Sequence, residues 1–287
     1  MLNLTLSILF SSLIFVIFKL FSIYKIQTLY AIITNYVVAC TVGLFLYQGP
    51  VSISSVPEKP WFFGTLALGL LFIVVFNLMA ATAQKVGISV ASVATKMSFV
   101  IPVIIGVIAY NEHLSFLKVL GILLAMGAVY FASMKESKTS FNINVLLLPV
   151  LVFLGSGTID ATIKYFQEKH VAPAEFSLFS SVIFGSAAVV GLLFILLQSK
   201  KNPLKINIKN IVGGIVLGVP NFFSIFFLLK ALNNPNFNSA SIFTINNVAI
   251  VMFSTLLGIL LFKEKISLKN WIGIALAIIS ISLVALT

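Results

Sequence analysis

The sequence predicts an all-α membrane protein of ten transmembrane helices, arranged as two inverted five-helix repeats. Three observations carry that expectation. About ten apolar stretches, each near 20 residues, follow one another from Leu4 to Leu286 with short polar breaks between them. The composition is 60% hydrophobic and 9% charged, with a mean hydropathy of +1.15. A soluble chain of 31.2 kDa needs more charge than this to cover its exterior. The third observation is an ungapped internal repeat around Glu112 and Glu264, described below.

A helix rises about 1.5 Å per residue, so roughly 20 apolar residues cross a hydrocarbon layer about 30 Å thick. On that measure the spans fall at 4–21, 28–47, 61–83, 91–110, 114–133, 145–166, 175–198, 210–231, 239–262 and 268–286. The first begins within MLNLTLSILFSSLIFVIF, which has neither a basic leader nor a small-residue cleavage site, so it reads as a span rather than a cleaved signal. Breaks coincide with turn formers: Gly49-Pro50, Pro57 to Pro60, Pro173, Asn202-Pro203 and Asn233-Asn234-Pro235. The apolar runs are continuous and about twice the length of a barrel strand, which disfavours a β-barrel. No loop is long enough for a soluble domain, so the chemistry is expected inside the membrane.

All 18 basic residues are lysine, against seven acidic residues, for a net charge of +11. Without arginine there is no bidentate clamp for phosphate or carboxylate, and an anion must be met by ammonium groups or backbone dipoles. The lysines sit in short loops, where they orient a membrane protein and do not argue for nucleic acid. Twelve, from Lys19 to Lys269, fall on the side of the odd-numbered loops; Lys59, Lys118, Lys164, Lys169 and Lys230 fall on the other, and Lys96 lies within a span. The positive-inside rule then puts both termini outside the cytoplasm. The single cysteine, Cys40, excludes an intramolecular disulfide.

Residues 104–125, IIGVIAYNEHLSFLKVLGILLA, align without a gap on residues 256–277, LLGILLFKEKISLKNWIGIALA. Gly106, Glu112, Ser115 and Gly121 match Gly258, Glu264, Ser267 and Gly273 at one common offset. A weaker echo joins Phe18-Lys19 with Ile163-Lys164. The chain therefore divides into residues 1–140 and 141–287, each with five spans. Halves with an odd number of spans insert in opposite orientations, which gives the inverted repeat of secondary transporters, with the site near the midplane between the halves.

Five plus five helices, with Glu112 or Glu264 closing the fourth helix of each half and Gly121 or Gly273 nine residues on, resemble the EamA branch of the drug/metabolite transporter superfamily. The resemblance implies export of a small metabolite, such as an amino acid or an organic anion, across a bacterial inner membrane. It also implies cytoplasmic termini, against the lysine count; inverted symmetry accommodates either orientation. The superfamily includes flippase-type subunits acting on lipid-linked sugars, which is the alternative function, with a membrane-embedded enzyme as the more distant one.

Ionisable groups inside spans cost about 2.5–3.5 kcal/mol on insertion scales and need a reason to be there. Lys96 in the fourth span has two: its stem snorkels to the interface, or its ammonium faces the cavity and holds an anionic substrate. Asp160 in the sixth span either pairs with Lys164, four residues on, or couples transport to protons. The resemblance supports the second reading, because the first helix of small multidrug-resistance relatives carries the coupling acid and the first span here has none. Pro102 and Pro220-Asn221 are candidates for unwound backbone. Asn221, Asn246 and Asn247 are mid-span amides suited to helix contacts or to substrate. Glu112, Gly121, Glu264 and Gly273 read as structural markers of the repeat at helix ends. The small-residue faces Gly121/Ala125 and Gly273/Ala277 suit close packing within the chain or in a homodimer.

No catalytic residue, metal or cofactor is expected. The two histidines, His113 and His170, lie in loops of different halves, and the acids are too dispersed for a magnesium pair. There is no Walker-type phosphate loop for direct ATP drive. The expected partners are a small-molecule substrate, membrane lipids and a proton or exchanged counter-substrate.

Overall fold

The computed structural model describes residues 2–49, 51–110, 115–132, 143–199, 207–232 and 239–285. The described residues form helices joined by short turns, with no strand among them. In chain order the helices are α1 Leu2–Ile23, α2 Thr28–Phe45, α3 Phe62–Lys85, α4 Ile88–Met97, α5 Val100–Tyr110, α6 Phe116–Ala132, α7 Ile143–Lys169, α8 Phe176–Ser199, α9 Ile208–Leu232, α10 Ser239–Phe262 and α11 Leu268–Ala285. Short 3₁₀ turns at Ile53–Glu58 and Pro173–Glu175 precede α3 and α8. Eight stretches, with α4 and the start of α5 counted as one, are long and apolar enough to cross a membrane. The remaining two apolar helices, Val119–Ala132 and Leu268–Val284, are shorter.

The expected spans agree with these helices to within about three residues, except the fourth. Residues 91–110 form two helices that part at Ser98-Phe99. Pro102 is the cause: it has no N–H to give the Ser98 carbonyl, which accepts instead from Ile101 N at 2.9 Å in a tighter turn. Pro220 does not do the same, and α9 runs through it from Ile208 to Leu232 unbroken. The expectation of unwound backbone there is corrected.

In a bilayer the lipid is as apolar as a side chain, so helices associate through close backbone approach and buried polar contacts. Gly214 and Gly218 seat α9 against α2: a Cβ at Gly214 would lie 2.6 Å from the Ala31 carbonyl, and one at Gly218 2.9 Å from that of Asn35. Gly69 does the same for α3 on α8. Around these contacts Phe18, Phe21, Ile32, Tyr36, Trp61, Leu68 and Phe179 are fully buried.

The small-residue faces of α6 and α11 meet within the chain. A Cβ on Gly273 would strike the backbone of Ala132 and Ala128, and one on Gly121 would meet Val284 and Ser280. Ser280 Oγ donates to the Gly121 carbonyl at 2.7 Å, and Asn270 Nδ2 donates to that of Ala132 at 2.7 Å.

One polar clamp ties α3 to the start of α8. Glu175 accepts from Lys59 Nζ at 2.7 Å and from the buried indole of Trp61 at 3.0 Å. The Lys59 hydrogen bond is the main reason that the Glu175 carboxyl is held below the ordinary glutamate range. Its contribution to stability is therefore fully present above the unfolded-state pKa and is lost as pH falls through the lower folded-state value. Glu175→Gln should remove that acid-sensitive component from a plot of thermal midpoint against pH. An identical acid slope in both proteins would refute this role.

Candidate functional site

The break between α4 and α5 places three polar side chains at mid-depth in the bundle. Lys96 is in the last turn of α4, Ser98 is at the break, and Asp160 faces them from α7. The single Ser98 hydroxyl proton is shared between the Thr95 carbonyl, at 2.6 Å, and Asp160 Oδ2, at 3.3 Å. Lys96 is near enough for its charge to act on Asp160, yet the two form no direct ion pair. Among the described residues the Lys96 ammonium makes no hydrogen bond.

Asp160 is solvent-exposed, and its position on α7 shows to what. Leu147, Leu151, Leu154 and Tyr165 form the helix's exposed apolar stripe. At about 100° per residue, Asp160 points roughly 140° away from that stripe, toward α4 and α5. The solvent it meets is in a crevice between helices.

Burial along α4 and α5 shows where the crevice begins. From Ile88 to Ala94 every residue is buried; Thr95 and Lys96 are half-buried; Ile101, Pro102 and Val103 are half-buried and Ile104 and Ile105 exposed. Access to Lys96 and Asp160 therefore comes from the α5 side. The opposite end, where Lys85 closes α3 and the lysine-bearing turns 24–27 and 263–267 lie, is filled.

That filled end carries a second polar cluster. Ile88 N, in the first turn of α4, donates to both carboxylate oxygens of Glu264, at 3.0 and 3.1 Å. Lys19 Nζ lies 3.6 Å from the same carboxylate and donates to the Gln84 carbonyl at 3.2 Å. Gln84 Nε2 in turn donates to the Phe18 carbonyl at 3.0 Å. Glycines make the room: Gly87 adopts φ 149°, and a Cβ on Gly258 would stand 2.8 Å from Glu264 Oε2.

The structure thus brings Lys96 and Asp160 together and adds Ser98, which no charge signal in the sequence marked. The expected pairing of Asp160 with Lys164 is corrected: its hydrogen bond comes from Ser98 and the acting charge from Lys96. Asn221 is buried and donates to Asn35 Oδ1 at 3.1 Å, joining α9 to α2. Asn246 is buried and accepts from Ser7 Oγ at 3.2 Å, joining α10 to α1. Both amides work as helix contacts at these positions.

Asn247 differs from them. It is half-buried, makes no hydrogen bond to a described residue, and lies on the face of α10 opposite the exposed Ile245, Met252 and Leu256. One turn on, Val251 packs in a cluster with Val93, Met97 and Val100, so Asn247 is at the depth of the α4/α5 break. Glu264 is held between helices from both halves, and Gly121 and Gly273 lie in the α6/α11 contact. Glu112 lies outside the described residues. No cluster among the described residues has the composition of a metal site.

An uncharacterized protein of Haemophilus influenzae is 31% identical over 289 residues, spanning 97% of this chain and 96% of that one. One crystal structure superposes with a TM-score of 0.59 at 13% identity, covering 96% of this chain and 97% of the other, and shares the fold. The profile of the EamA-like transporter family matches residues 143–286. With the helical membrane architecture and the polar crevice between its helices, this match means that the chain belongs to the EamA-like transporter family.

Proposed function

We propose that the protein is a secondary transporter that exports a small metabolite of the amino-acid or organic-anion class across a bacterial inner membrane. In this reading, residues 1–140 and 141–287 are inverted repeats, and rocking one against the other exposes the crevice to each side in turn. Lys96 meets the anionic group of the substrate, Asn247 lines the same space, and Asp160 carries the coupling proton or holds the exchanged counter-substrate. The observation that carries the reading is the opposed charge pair at mid-depth, accessible but not directly bonded. A charged group in a span is expensive and is the usual mark of a substrate path.

The α6/α11 contact supports the repeat. Gly273 meets Ala128 and Ala132, and Gly121 meets Ser280 and Val284, the positions one repeat offset further along. Such reciprocity is what a two-fold relation between halves produces.

The test is a thermal-shift screen of purified protein against amino acids, organic acids, sugar phosphates and cationic dyes, followed by flux of the best binder in proteoliposomes. A ligand at one hundred times its Kd stabilises by about 2.7 kcal/mol. Anionic or zwitterionic metabolites should raise the midpoint of the wild type, and Lys96→Met should abolish that rise. Stabilisation unchanged by Lys96→Met would remove Lys96 from the site. Lipid scrambling without solute flux would overturn the transport reading.

A further inference from the structure

We infer that Glu264 is a latch: by capping α4 it holds the crevice shut at the lysine-bearing end, and its release is the step that opens Lys96 and Asp160 to that end. The inference rests on the alternating-access reading and assigns it a positioning residue. Glu264 follows α10 in the second half, whereas Ile88 and Lys19 belong to the first, so the latch joins elements that must separate for that end to open.

Its connection to the site runs through one short rod. α4 has ten residues; Glu264 holds its N-terminus, and the break after its C-terminus is bonded through Ser98 to Asp160. A carboxylate at a helix N-terminus satisfies open N–H groups and complements the helix dipole, while the nearby Lys19 offsets its charge. Beneath the latch, Phe18, Ile88, Ala91 and Ala94 are fully buried, and Phe18 packs edge-on against Phe76 at 5.8 Å. Helix contacts are uneven in the same sense. α1 packs against α3 and α4, whereas among the described residues α7 makes no comparable contact with α9 or α10. The bundle is closed where Glu264 sits.

The test needs no substrate. In a Cys40→Ser background, Thr95→Cys places a thiol beside Lys96 at the inner edge of the buried part of α4. Its labelling by a membrane-impermeant charged maleimide is measured from each side of oriented proteoliposomes. With Glu264 intact, labelling from the lysine-bearing end should be slow. Glu264→Ala should raise it about tenfold and lower labelling from the other end. Glu264→Gln, which keeps an oxygen for the Ile88 N–H, should have a smaller effect of the same sign.

The exchange Lys19→Glu/Glu264→Lys should not restore slow labelling, because an ammonium cannot accept from Ile88. Restoration would mean a simple ion pair and would overturn the cap. Unchanged labelling in a folded Glu264→Ala protein would overturn the latch. Should Glu264→Ala not fold, Glu264→Gln carries the test, and unchanged labelling there overturns it equally. Shifted labelling without any solute flux would leave the latch standing and remove the transport reading; flux without a shift would do the reverse.

Discussion

Asp160→Asn should lower transport about ten- to a hundred-fold while leaving the fold intact, the range expected for losing a charged contact worth about 1.5–3 kcal/mol. Asparagine is nearly isosteric and still accepts from Ser98, so the tie between α7 and the α4/α5 break survives. What disappears is the negative charge facing Lys96. Lys96→Met should reduce transport by a similar factor, because the other charge is then left without its counterpart. Stability should behave differently. Each single change leaves one uncompensated charge in the crevice, and the double change Lys96→Met/Asp160→Asn leaves none. Thermal midpoints should therefore be non-additive, with the double variant recovering part of the single losses. The recovery should be at the low end, about 0.5–1 kcal/mol, because Asp160 is exposed to crevice water that screens the pair. Transport should not recover. Additive stabilities would show that the charges do not sense one another, and full transport by Asp160→Asn under a pH gradient would remove the residue from coupling.

The membrane class, the helices and most of their bounds follow from the sequence because apolar run length is a local property set by the bilayer. The α4/α5 break was half visible. Pro102 marks it, but whether a freed carbonyl opens the helix depends on neighbours, as the intact α9 around Pro220 shows. Lys96 and Asp160 were visible because a charge in an apolar span stands out. Their meeting was not, since it joins α4 to α7 and a helical pattern offers only the local partner, Lys164. Glu264 was visible as a repeated residue at a helix end, but its partner was not. A glutamate after a helix among lysines reads as solvated, and only the fold brings the Ile88 N–H to it. The amides were the least readable: Asn221 and Asn247 have similar surroundings in sequence, yet one is spent on Asn35 and the other faces inward without a described partner.

The second large effect is on stability and lies in the α6/α11 contact. Gly273→Ala should destabilise the protein by about 1–3 kcal/mol, the range for forcing extra atoms into a packed contact. The new Cβ would press on main chain, at Ala132 and at the Ala128 carbonyl 2.8 Å away, and backbone in a helix yields only if α6 and α11 part. Parting them also lengthens the Asn270 bond to the Ala132 carbonyl and the Ser280 bond to that of Gly121. Gly121→Ala is the control at the repeat-equivalent position. There the Cβ meets the side chain of Val284, which can change rotamer, and the nearest main-chain atom, the Ser280 carbonyl, is 3.3 Å away. Alanine also gains up to about 1 kcal/mol of helix propensity over glycine. Gly121→Ala should therefore stay within about 2 °C of wild type, while Gly273→Ala should fall by about 3–10 °C. Equal shifts would mean that the two glycines serve the contact alike and that backbone approach is not what Gly273 provides. In Gly273→Ala protein that still folds, any ligand stabilisation that depends on Lys96 should persist, because the atoms nearest Gly273 belong to Ala128 and Ala132 and not to Lys96, Ser98 or Asp160. Its loss would mean that the α6/α11 contact is part of the moving machinery, with the hinge between halves passing through Gly273.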